Sequence, residues 1–141
     1  MRVVLDSNVF IAALLAPKGV AALLLGLWRQ QRFTLLYSSE LMLELREVLS
    51  RPVFVKRIKR YRIGALIKRI QFRGERIRNN RNSVYSKDPK DDFLIAIAEN
   101  GQADYLVSRD TQGILILNLE FCKVITPEAL LKLFDRKRIQ N

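Results

Sequence analysis

Four short apolar runs punctuate this chain: RVVL at 2–5, FTLLY at 33–37, ADYLVS at 103–108 and CKVIT at 122–126. Each is rich in β-branched or aromatic residues and too short for a helix, so each reads as a strand. Longer stretches with apolar residues at helical spacing lie between them. Such alternation builds βαβ units, and these demand a mostly parallel sheet covered by helices on both faces. The length of 141 residues suits one domain spanning 1–141, with 136–141 expected as a frayed tail. In a sheet of this kind, ligands gather beyond the carboxyl ends of the strands.

Local signals place the helices. Asp6-Ser7-Asn8 opens a short helix, VFIAALLA, which Pro17-Lys18-Gly19 ends. A second helix follows over 20–31. Ser38-Ser39 caps a third near Glu40, whose leucines at 41, 45 and 49 form one stripe. Pro52 interrupts that helix or starts the next. Ile58, Tyr61, Leu66, Ile67 and Ile70 recur at helical spacing, Asn79, Asn80 and Asn82 mark a loop, and Asp88-Pro89 a turn. A helix through 93–99 ends near Asn100-Gly101, residues 114–117 suit either a helix or a strand, and Thr126 caps a closing helix with Pro127 in its first turn.

Composition removes whole classes of chemistry. There is no histidine, which excludes Ser-His-Asp triads, histidine bases and histidine-ligated metals. The single cysteine, Cys122, can form neither an internal disulfide nor a multi-cysteine zinc site, and it fits a reducing cytoplasm. No apolar run approaches membrane-spanning length, and the N-terminal stretch lacks the cleavage site of a signal peptide. The 25 Lys+Arg against 14 Asp+Glu give +11, a field that favours a polyanion such as nucleic acid or an anionic membrane surface, the plainer reading being a protein kept soluble by its charge.

Against this basic background the acids at strand ends stand out. Asp6 follows the first strand and Asp110 the strand ADYLVS, so both emerge at one edge of a parallel sheet. Asp91 and Asp92 open the helix before ADYLVS, and Glu44 lies one turn into the helix after FTLLY. Carboxylates crowded together repel and raise one another's pKa, and a divalent cation relieves that cost. Mg²⁺ or Mn²⁺ takes oxygen ligands and can activate a phosphodiester for hydrolysis without histidine. Each acid also has a plainer role: Asp6 and Ser7 as helix caps, Asp91 and Asp92 as partners of the helix dipole, Glu44 on a solvated helix face, Asp110 in a turn. The chemical reading rests on the set.

Taken in order, VVLDSNVFIAALL, LMLELREVL and SKDPKDDFLIAIAENGQADYLVSRD resemble the PIN-domain family, most closely its branch of toxin components of prokaryotic toxin–antitoxin systems (VapC-like). The resemblance covers nearly the whole chain. It implies a three-layer α/β/α sandwich and a Mg²⁺- or Mn²⁺-dependent endoribonuclease, usually a homodimer, inhibited by a cognate antitoxin. It maps the family's four acids onto Asp6, Glu44, Asp91 (seven residues before Ala98) and Asp110, as catalytic and metal-holding residues. Ser7 and Asn8 match the polar pair of the first motif, and Asp92 a position that assists. The family's Thr-Gly-Asp run is replaced by Ser108-Arg109-Asp110, where Arg109 could pair with an acid or reach a phosphate.

Residues 56–81 hold eleven Lys/Arg against one acid, Glu75. Lys56, Arg57, Lys59, Arg60, Arg62, Lys68, Arg69 and Arg73 are the expected RNA-backbone contacts, with an acidic antitoxin segment as the other occupant of the same strip. Tyr61 and Phe72 suit the core better than a base-stacking surface. The leading expectation is a cytoplasmic, metal-dependent ribonuclease toxin. The rivals are a nucleic-acid-binding module with weak or lost catalysis and a regulator whose basic surface takes a protein.

Overall fold

The structure, a computed structural model, describes residues 1–78, 89–110 and 113–140; of these, the side chains of 89–91 and 136–140 lie outside the description. The strands are β1 (Arg2–Leu5), β2 (Thr34–Tyr37), β3 (Glu75–Arg76), β4 (Tyr105–Val107) and β5 (Lys123–Ile125). The helices are α1 (Ser7–Leu15), α2 (Val20–Arg29), α3 (Ser39–Leu49), α4 (Pro52–Val55), α5 (Arg60–Arg73), α6 (Pro89–Asn100) and α7 (Pro127–Gln140), with a 3₁₀ turn at Ile114–Ile116. The strands form one sheet in the order β3-β2-β1-β4-β5, every neighbouring pair parallel. This is the α/β/α sandwich that the alternating pattern implies.

The apolar runs become the middle of the sheet because both faces are covered. Val3, Val4, Leu5, Leu35, Leu36, Leu106 and Val107 are all fully buried. Burying such side chains yields roughly 1.5–3 kcal/mol each, the largest stabilising contribution here. Ser38 caps α3 as expected, its hydroxyl accepting from the Leu41 amide at 3.2 Å. Thr126 caps α7 in the same way, accepting from the Ala129 amide at 3.1 Å. Pro52 starts α4 as its first residue. After α6 the left-handed residue is Gln102 (φ 53°), one place beyond the expected Gly101.

Several expectations change. The two-residue strand β3 lies inside the basic stretch, with no apolar signal to announce it, and pairs with β2 at the sheet edge. Tyr61 and Phe72 are 70% and 88% exposed, not core. The buried stripe of α5 is Leu66, Ile67 and Ile70, and both rings fall off it. α7 continues to Gln140, so the expected frayed stretch is helical in backbone; no Gly or Pro between Pro127 and Gln140 stops it. The loop expected at Asn79, Asn80 and Asn82, and Asp88 of the expected turn, lie outside the described residues. Among the described residues no single helix is long and apolar enough to cross a membrane.

Candidate functional site at the carboxyl edge of the sheet

The register Leu5↔Val107 brings the next residues of β1 and β4 together. Asp6 donates its amide to Val107 O at 2.9 Å, and Ser108 donates its own to Ile125 O at 3.1 Å. Two side chains from distant parts of the chain thus face each other at the strand ends. Ser108 Oγ donates to Asp6 Oδ2 at 2.8 Å, Ser7 Oγ donates to Asp6 Oδ1 at 3.3 Å, and Asn8 Nδ2 donates to Asp6 Oδ2 at 3.1 Å.

Asp6 stands at the N-cap of α1 but makes no capping bond with its side chain. Its carboxylate is held instead by the side chains of this polar cluster. It is 9% exposed, and Ser108 is fully buried. Burial pushes the Asp6 carboxyl above its ordinary value; the Ser108 hydroxyl, then groups of Ser7 and Asn8, pull it part of the way back. A charge this dry is costly without a counter-ion. Beside it, Asn8 Oδ1 is buried and accepts no hydrogen bond among the described residues.

Ser108 also ties in the last acid. Its Oγ accepts from the Asp110 amide at 3.0 Å, while Asp110 Oδ1 accepts from the Gly113 amide at 2.9 Å. Asp110 is exposed, and its carboxylate shapes the turn that follows it. That turn has no room for a side chain: a Cβ on Gly113 would run into the Asp110 carboxylate.

The other candidates arrive on helices. Glu44 rides on α3, which packs against α1 and α6. One of its carboxylate oxygens, Oε2, is buried. Asp92 is partly buried near the start of α6, the helix that lies on β1 and β4. Asp91 is in the first turn of the same helix; its side chain lies outside the described residues. Among the described residues no three acidic, cysteine or histidine side chains meet at metal-binding reach. Arg109 does not enter the cluster: its guanidinium pairs with Glu128 at the start of α7, at 2.9 Å.

The basic stretch divides by burial. Lys56, Arg57, Lys59, Arg60, Lys68 and Arg73 are exposed, whereas Arg62 and Arg69 are half-buried.

An all-parallel sheet with a dry aspartate and oxygen donors at its carboxyl edge defines an α/β protein with a carboxylate site. Residues 2–112 match the family model described as PIN domain, and the chain belongs to that family. The family is a nuclease superfamily, which supports a nuclease-type function for this chain and an enzymatic hydrolase chemistry; its members typically use divalent metals. The match includes every candidate acid and stops before β5 and α7. No curated protein matches the chain.

Proposed function

We propose that the protein is a metal-dependent endoribonuclease that hydrolyses RNA phosphodiester bonds, and that it serves as the toxin of a toxin–antitoxin pair in the cytoplasm. The observation that carries this reading is the buried Asp6 carboxylate, oriented by Ser108 beside the orphaned Asn8 Oδ1. A negative charge desolvated at the carboxyl edge of a sheet gains nothing from binding RNA directly. It makes sense as a ligand of a hard cation, and the donor set, oxygen throughout, fits Mg²⁺ or Mn²⁺.

In this reading Asp6, Glu44, Asp91 and Asp110 hold the ion, with Asp92 assisting. When bound, the ion supplies Lewis acidity to the scissile phosphodiester. The protein's own part is positional. Ser108 fixes the rotamer of Asp6, Ser7 and Asn8 hold its two oxygens, and Gly113 holds Asp110. Arg109 is held by Glu128 at the start of α7. The exposed cations of 56–60 and α5 supply sequence-independent attraction for the RNA backbone. A homodimer and an antitoxin that covers the acidic cleft complete the proposal.

The test is cleavage of mixed single-stranded RNA in Mn²⁺, Mg²⁺ or EDTA by the wild type, Asp6→Asn and Asp91→Asn. Metal-dependent cutting that both substitutions abolish supports the reading. Tight RNA binding at low salt with no metal-dependent cutting overturns it in favour of an RNA-binding protein without catalysis. That second reading draws on Arg109, which stands immediately before Asp110 where the family carries a small residue.

A further inference from the structure

Away from the Asp6 cluster, the end of α1, α2 as far as its last residue Arg29, and α5 border an open-sided pocket of about 280 Å³. Among the described residues no acidic one lines it. Its floor is apolar, with Ala13, Leu25 and Leu66 among the contacts, and three guanidiniums, Arg29, Arg62 and Arg69, stand around it with Tyr61 at the rim. On α5 the lining residues Arg62, Ala65, Leu66 and Arg69 recur at the three- and four-residue spacing of one helix face. The helix therefore turns two arginines inward while its other cations face solvent. Among the described residues none of the three arginines makes an ion pair.

Arg62 and Arg69 are half-buried with the more exposed Arg29 beside them, and gathering these cations with no carboxylate among the described residues is unfavourable for the empty protein. Burial, and then the nearby charge of Arg69, lower the pKa of Arg29. An anion seated between these groups removes the penalty, and guanidiniums match the oxygens of a phosphate two at a time. The apolar floor asks for more than a bare ion. Tyr61, 70% exposed at the rim, offers a flat face on which a base can stack. The volume, just below the range of about 300–1,000 Å³ for small-molecule sites, leaves room for part of a nucleotide with the rest over the open side.

We propose that this pocket is a nucleotide subsite. It takes a phosphate against Arg29, Arg62 and Arg69 and the attached nucleoside over Leu66 and Tyr61. The nucleotide is either a free mononucleotide or one residue of a bound RNA, and the chemistry is the same for both. Nucleotide binding here needs no cleavage, since none of the proposed metal ligands whose side chains are described, Asp6, Glu44 and Asp110, lines the pocket.

The experiment is calorimetric titration of the whole chain in EDTA with uridine and adenosine 5′-monophosphates, the parent nucleosides, inorganic phosphate, a short single-stranded RNA and polyglutamate. Wild type is compared with Arg29→Gln, Arg69→Gln and, as a charge control on α7, Lys132→Gln; thermal melting verifies that each folds. Monophosphates binding more tightly than nucleosides or phosphate, with a loss of about tenfold or more in both arginine variants and none in Lys132→Gln, supports a free-nucleotide site. The same loss seen only with RNA supports an RNA-residue site. Affinities that fall equally in all three variants overturn the proposal. Polyglutamate binding that depends on Arg29 and Arg69, with no nucleotide or RNA response, also overturns it and assigns the pocket to an acidic protein segment.

Discussion

Ser108 Oγ and Asp6 Oδ2 are hydrogen-bonded at 2.8 Å although the residues are 102 positions apart. The same oxygen of Ser108 accepts from the Asp110 amide. One buried hydroxyl therefore couples the first acid motif to the last, and Ser108→Ala removes both bonds at once. Leaving a buried carboxylate under-satisfied costs about 1–3 kcal/mol. Urea unfolding of Ser108→Ala should show a loss of that order, accompanied by weaker RNA cleavage as Asp6 loses its fixed rotamer.

Asp6→Asn should abolish cleavage and yet stabilise the metal-free fold at neutral pH. Burial raises the folded-state pKa of Asp6. The neutral form is then favoured by folding below the unfolded pKa, and that contribution is lost as pH rises through the folded value. In EDTA the gap between variant and wild type should be constant below the unfolded carboxyl value of 3.8, and the variant should gain on the wild type as pH rises from there through the raised folded value, levelling off above it. Denaturant midpoints across this window check the sign. A wild type that gains on the variant with rising pH would show Asp6 to be better solvated than the structure indicates.

Gly113→Ala should disturb Asp110 specifically. The added Cβ collides with the Asp110 carboxylate, which must leave its bond to the Gly113 amide. A moderate stability loss of about 1 kcal/mol is expected, together with a larger fall in metal-dependent cleavage than any surface glycine substitution causes. Gly64→Ala is the comparison, since its Cβ meets nothing within 4 Å.

RNA binding should be strongly salt-dependent. Lys59 and Arg60 are exposed at the start of α5, and replacing both with Gln should reduce the slope of log affinity against log salt by about 1.4. Filter binding in EDTA at several salt concentrations reads this directly. An unchanged slope would remove this end of the helix from the RNA path.

Cys122 should resist thiol reagents in the native state. It is buried, and desolvation pushes its thiol up to about 11, so almost no thiolate is present at neutral pH. Labelling with a chromogenic disulfide should be slow in buffer and prompt in urea. Fast labelling under native conditions would mean that β5, which begins at the next residue, opens readily.

The architecture was legible because its signals are local. Short β-branched runs become buried parallel strands, and a polar residue after each run must emerge at one edge; Asp6 and Asp110 could be placed there from the chain alone. The caps at Ser38 and Thr126 depend only on neighbours within three residues. The exposure of Tyr61 and Phe72 was not legible, since helical spacing says which residues share a face but not which face meets the sheet. The edge strand β3 was hidden for a related reason: its two residues, Glu75 and Arg76, are recruited by pairing with Leu36 and Tyr37 and not by their own propensity.

The sequence by itself determined the alternation of the four apolar strands with helices, the absence of histidine chemistry, the excess of positive charge and the set of acids that could act. Only the tertiary structure decided which of these groups meet. The β1–β4 register selects Ser108 as the partner of Asp6, α7 supplies Glu128 to hold Arg109, and the placing of α5 across a shared pocket from α1 and α2 gathers Arg29 with Arg62 and Arg69. These are contacts between residues far apart in the chain, and their geometry follows from how whole elements pack, which no local run of residues encodes.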